Sequence, residues 1–138
     1  MKLRIRGNSI RLRLGQSEVR RLLVGGSVEE STAFGPSEQQ RFGYSLCVSL
    51  DLPDVSASFA DGRIIVRVPM TMVREWATTD QVSIDAIQPA GDDGQLRILI
   101  EKDFECIDAP RDESQEDAFP HPLLTGACAP ANVIERPA

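Results

Sequence analysis

The sequence predicts an α+β domain of short, mainly antiparallel strands, arranged as two ββαββ units around one barrel-like core, with a largely irregular C-terminal tail. Three observations carry this prediction. Two tight hairpins can be read from alternation alone, a short helical pattern follows each, and the two halves superpose at a constant offset of 54 residues.

Residues 2–14 alternate, with Leu3 and Ile5 before the loop and Ile10, Leu12 and Leu14 after it as one apolar set and cations as the other, the parity switching across the loop. Gly7-Asn8 interrupts them as a two-residue loop able to supply the positive φ values of a tight hairpin. Facing positions then sum to 15, which pairs Ile5 with Ile10, Leu3 with Leu12, Arg4 with Arg11 and Lys2 with Arg13. Residues 17–23 read as a helix that stops at Gly25-Gly26, with Ser17 ahead of Glu18 as its cap. Val28 opens an extended stretch, and residues 42–48 make a further strand in which Cys47 reads as a small buried hydrophobe.

Asp61-Gly62 repeats the hairpin signal with facing positions that sum to 123, so that Phe59 meets Ile64, Ala57 meets Val66 and Val55 meets Val68. Pro69 is suited to start a helix, and residues 70–77 follow it with Val73 and Trp76 as core. Val82 opens the next extended stretch, and Gly91-Asp92-Asp93-Gly94 turns the chain into a last strand over 96–100.

At the offset of 54, Ile10 falls on Ile64, Leu12 on Val66, Leu14 on Val68, Val19 on Val73, Leu22 on Trp76, Val28 on Val82 and Leu46 on Ile100. A tandem repeat is the expected reading, with units of about 1–49 and 55–102 inside one domain of 1–102. From Asp103 the periodicity ends. Residues 103–138 form an acidic tail holding five of the nine prolines, with no core of its own, although Phe104 and Phe119-Pro120 could pin parts of it.

The 138 residues are 41% apolar and 26% charged, a globular composition. No apolar run approaches the roughly 20 residues of a membrane span, and no hydrophobic stretch of a signal peptide follows the first cations. Three cysteines without a CxxC argue against a disulfide framework and a zinc ribbon, so a reduced, cytoplasmic protein is expected. His121, the only histidine, stands between prolines, a poor setting for an oriented general base. Cys106, His121 and Cys128 match no zinc spacing. No nucleophile elbow, phosphate loop or dinucleotide fingerprint occurs. These residues assign no catalytic group, metal or cofactor, and they favour a non-enzymatic module.

What remains is charge. The net charge is −6, yet residues 1–25 hold seven cations against one acid. The hairpin register places Lys2, Arg4, Arg6, Arg11 and Arg13 on one face. Like charges opposed across a hairpin cost on the order of 0.2–1 kcal/mol per pair, so the expected function is binding or regulation through this face by an anionic partner. A protein partner is favoured over nucleic acid, because the chain is acidic overall, its one tyrosine and one tryptophan sit in core-like patterns, and no helix is strongly basic. The tail acids Glu105, Asp108, Asp112, Glu113, Glu116 and Asp117 offer an intramolecular alternative.

Two resemblances extend this. The opening MKLRIRGNSIRLRL and the phrase IEKDFEC at 100–106 resemble a family of small bacterial proteins of unknown function, which implies a bacterial origin and no particular activity. Residues 62–66, Pro69, Arg74 and residues 80–84 resemble the AbrB-type swapped-hairpin barrels, including tandem MraZ-like regulators. That resemblance implies a DNA-binding regulator, the second reading, with only Arg74 matching the basic helix positions such proteins use. An enzyme without a recognisable motif is the third.

Overall fold

The computed structural model describes residues 1–104 and 117–120. The order is β1 (Lys2–Arg6), β2 (Ser9–Leu14), α1 (Gln16–Leu23), β3 (Ser27–Ala33), β4 (Arg41–Ser49), β5 (Ser56–Ala60), β6 (Arg63–Pro69), α2 (Met70–Thr78), β7 (Ser83–Pro89) and β8 (Gln95–Lys102). A 3-10 turn at Glu38–Gln40 precedes β4. The strands form two four-stranded sheets, ordered β1-β2-β8-β7 and β3-β4-β6-β5. Each ββαββ stretch therefore gives its first hairpin to one sheet and its second to the other.

Both tight hairpins have the register that alternation specifies. Lys2 faces Arg13 and Ile5 faces Ile10, while Ala57 faces Val66 and Phe59 faces Ile64. Their turns differ in detail. Gly7 alone has positive φ in the first (φ 54), whereas both Asp61 (φ 52) and Gly62 (φ 73) do in the second. Asn8 does not share the positive φ expected of Gly7-Asn8, because a loop of the II′ kind needs it only at its first position.

The central pairings are parallel, β2 with β8 and β4 with β6, so the sheets are mixed. Adding 54 to Ser9 gives Arg63 and subtracting it from Arg97 gives Gly43, and the pairs Ser9–Arg97 and Gly43–Arg63 open the two parallel ladders alike. The gapless superposition fails further on. Val28 pairs with Leu46, but its place opposite Ile100 is taken by Ile84, while Val82 is 44% exposed and precedes β7. The helix ends explain the slip. After α1, Gly25 (φ 83) turns the chain and the amides of Gly25 and Gly26 return to Leu22 and Arg21. No glycine follows α2, where Thr78 and Thr79 hydroxyls bond back to Arg74 and Glu75 carbonyls. A shift of two residues keeps every side chain on its face, so the core tolerates it.

One buried cluster lies between the sheets, drawn from β2, β3, β4, β6, β7 and β8 and closed at one end by Val19 and Leu22 of α1 and Val73 and Trp76 of α2. The expected barrel does not close. Where sheet edges meet, side chains rather than strand ladders join them. Gln88 of β7 accepts from the Ala57 amide and donates to the Ala57 carbonyl of β5, both at 2.8 Å. Beside β1, the Met1 amine engages Glu18 and Glu30, and the Tyr44 hydroxyl donates to the Met1 carbonyl at 3.1 Å. Burial alone would lower that amine's pKa, but its bonds to Glu18 and Glu30 hold it above the ordinary value. Gln88→Ala leaves both Ala57 backbone groups without these bonds and is expected to cost about 1–2 kcal/mol in urea unfolding. An unchanged midpoint would show that the seam does not depend on Gln88.

The tail is joined to the domain by residues 117–120. Phe119 forms a bridge with Phe104, their rings 5.9 Å apart, and packs against the core. The Asp117 carboxylate accepts from the Ser17 amide (3.0 Å) and hydroxyl (2.6 Å). Ser17 is thus inside α1 rather than its cap. Gly15 holds the cap position, its amide bonded to Glu18 at 3.0 Å, and the acceptor that serves the helix N-terminus comes from Asp117, a hundred residues on. Cys106, His121 and Cys128 lie outside the described residues.

Candidate functional site

Period-two geometry turns one side of every strand outward. On the outer face of the first sheet, three cross-strand rows can be read from the registers: Lys2, Arg13, Glu101, Ser83; then Arg4, Arg11, Leu99, Asp85; then Arg6, Ser9, Arg97, Ile87. All five hairpin cations lie together there, joined by Arg97, against two acids, Asp85 and Glu101.

The charge is not spread evenly along the rows. Glu101 takes Arg13 at 2.8 Å and Arg11 at 3.5 Å, and Asp103 takes Lys2 at 3.0 Å. Arg97 and Asp85 form a two-point pair, with bonds of 2.7 and 3.2 Å, and that guanidinium holds the Asp85 carboxyl below its usual range. Arg4 and Arg6 have no ion pair among the described residues. The uncompensated positive field therefore sits on edge strand β1, toward the hairpin turn.

Glu101 and Asp103 belong to a stretch whose alternating charges look like a solvated strand end in sequence. They are counter-ions of the basic hairpin, because parallel pairing sets β8 beside β2 across 88 positions. Between them, Lys102 is buried at 8% exposure. Its ammonium donates to the Thr79 carbonyl at 2.9 Å and stands 5.5 Å from the centre of the Phe119 ring, and burial pushes its pKa down. This lysine holds the tail segment in place. Cys47, expected in the core, lies on the outer face of the second sheet between Ser27 and Arg67, half-buried and unbridged. Among the described residues, no group of three or more His, Cys, Asp or Glu could hold a metal. No helix there is long and apolar enough to cross a membrane.

The same positions on the second sheet are instructive. Adding 54 to Lys2, Arg4, Arg6 and Arg11 gives Ser56, Ser58, Ala60 and Ile65, and only Arg13 meets another cation, Arg67. These residues pair in a hairpin of the same register. The hairpin architecture is therefore built without cations at four of these five positions.

A family of unknown function, DUF7009, matches the chain over residues 1–123. No curated protein and no solved structure matches it, so the likeness to swapped-hairpin DNA-binding barrels finds no support there.

Proposed function

We propose that this chain, which belongs to that family of unknown function, is a non-enzymatic binding or regulatory module whose outer β1–β2 face engages an anionic partner. One observation carries the reading. The second hairpin has the same register with serine, alanine and isoleucine where the first has Lys2, Arg4, Arg6 and Arg11. Folding does not require those cations, and opposing them has an electrostatic cost, so an external anion is their physical rationale.

A protein segment fits better than nucleic acid. The rows that carry Arg4 and Arg6 also carry Leu99 and an exposed Ile87, and among the described residues these rows offer no aromatic ring on which bases could stack. An acidic segment with apolar side chains suits a surface of that mixed character. The shared registers also support reading the two halves as copies of one unit, with the cations acquired on a single copy.

The test compares fluorescent polyglutamate with a mixed-sequence DNA duplex by anisotropy across salt concentrations. Polyglutamate binding is expected at low ionic strength, falling about tenfold or more in Arg4→Glu/Arg6→Glu, a change of about 1.4 kcal/mol. The duplex is expected to bind weakly with a shallow salt slope. Equal binding by variant and wild type would remove this face as the site. A steep slope with the duplex would favour the DNA reading instead.

A further inference from the structure

The two helices close one end of the space between the sheets. The opposite end is open, where β2, β4, β6 and β8 begin. A cleft of about 500 Å³ lies there, lined chiefly by Ile5, Ile10, Phe42, Phe59, Ile64 and Leu96. These six form three pairs at the 54-residue offset: Ile5 with Phe59, Ile10 with Ile64, and Phe42 with Leu96. Ile10 and Ile64 make the buried floor, whereas Ile5 and Phe59 stand at the mouth, 56% and 67% exposed.

Such apolar side chains would normally be drawn together. Here they line an open cleft, and the seams between the sheets are joined by Gln88 on one side and by the Met1 cluster on the other rather than by strand pairing. Of the four polar side chains around the cleft, Asn8, Ser9, Ser58 and Gln88, three are occupied. Gln88 bonds to Ala57 through both ends of its amide, Asn8 donates to the Gln95 carbonyl, and the Ser9 hydroxyl donates to the Arg6 carbonyl at 2.8 Å. An occupant would find apolar contact and little else.

We propose that this cleft is a binding site for one small molecule with a hydrocarbon body, aromatic or acyl. Its volume lies within the range of about 300–1,000 Å³ that ligand sites occupy. A protein partner is disfavoured by area, since a stable interface takes about 20–30 residues a side and the mouth offers a handful. A second copy is disfavoured by shape, because two concave mouths set face to face enclose a void with lost contacts on both sides. The site adjoins the turn end of the cationic face, sharing Gly7, Asn8 and Ser9 of that hairpin, but it uses the inward side of the strands and does not rest on that face's function.

The experiment uses the full chain and the uncharged probe N-phenyl-1-naphthylamine, whose fluorescence rises in apolar surroundings. Saturable binding of one probe per chain is expected. Ala57→Trp, which fills the cleft, and Phe59→Asp, which puts a carboxylate at its mouth, should each weaken binding at least tenfold with little change in melting temperature. Phe34→Asp and Leu50→Asp, exposed apolar positions elsewhere, should leave it intact, as should Arg4→Glu/Arg6→Glu. The proposal is overturned by absent or non-saturable binding, or by cleft variants that bind like wild type. It is equally overturned by a dimer that Phe59→Asp dissociates, or by binding that appears only after residues 121–138 are removed.

Discussion

Trp76→Ala is expected to destabilise the domain by about 3–5 kcal/mol, the usual range for truncating a buried large aromatic. The indole is fully buried at the helix-capped end of the core, where α1 and α2 meet the sheets. Truncation would leave a void beneath two helices whose positions are fixed by other contacts, Val19 and Leu22 on one and Val73 on the other. It would also remove the bond from Trp76 Nε1 to the Val82 carbonyl at 2.9 Å. That carbonyl keeps a second donor, the Lys102 amide at 3.1 Å, so the bond itself matters less than the volume. Trp76→Phe separates the two and should cost about 1–2 kcal/mol, since most of the volume survives. Urea unfolding followed by circular dichroism reads both variants without relying on tryptophan fluorescence. A loss below about 1 kcal/mol for the alanine variant would mean that the helices collapse into the space.

The hairpins were legible in sequence because their information is local. Two residues of turn and strict alternation fix which residues face each other, and both registers hold, although Val55 lies just before β5 and outside the ladder expected to pair it with Val68. The helices were legible for a similar reason, bounded by Gly25-Gly26 and by Pro69. What alternation does not carry is which strand lies beside which. Glu101 and Arg13 look unrelated until β8 lies parallel to β2, and so the basic face appeared without its counter-charges. The open end was hidden by the same gap. Ile5 and Phe59 have the parity of core residues, yet they stand beside their hairpin turns at the open end of the core and are exposed. The offset of 54 misplaced Val82 because an insertion of two residues before β7 and a shortening by two after it cancel along the chain. Asp117 was invisible as a helix cap, since its sequence neighbours carry no pattern.

Gly15→Ala is expected to dislodge the tail segment from α1, although alanine suits the local backbone. Gly15 has φ −78, which any residue adopts, so strain is not the objection. A Cβ there would meet the Asp117 carboxylate and approach the Asp117 carbonyl at 2.8 Å. The segment would have to withdraw. It would give up the Gln16 amide bond to the Asp117 carbonyl (2.7 Å), both Ser17 bonds to the carboxylate, and the bond from Gln16 Nε2 to the Ala118 carbonyl (2.8 Å). Orphan amides at a helix start make such a cap worth about 0.5–2 kcal/mol, and Asp117→Ala should lose a similar amount. Because both substitutions break one contact, the double variant should be less destabilised than the sum of the two. Acidity gives a second readout. The Ser17 hydroxyl bond holds the Asp117 carboxyl below its ordinary value of 3.8. Its contribution is therefore present above that value and is lost as pH falls through the lower folded pKa. The stability gap between wild type and Asp117→Ala, measured by urea unfolding, should be full near neutrality and close toward the acid limit. Strict additivity of the two substitutions, together with a gap that ignores pH, would show that Asp117 does not cap α1.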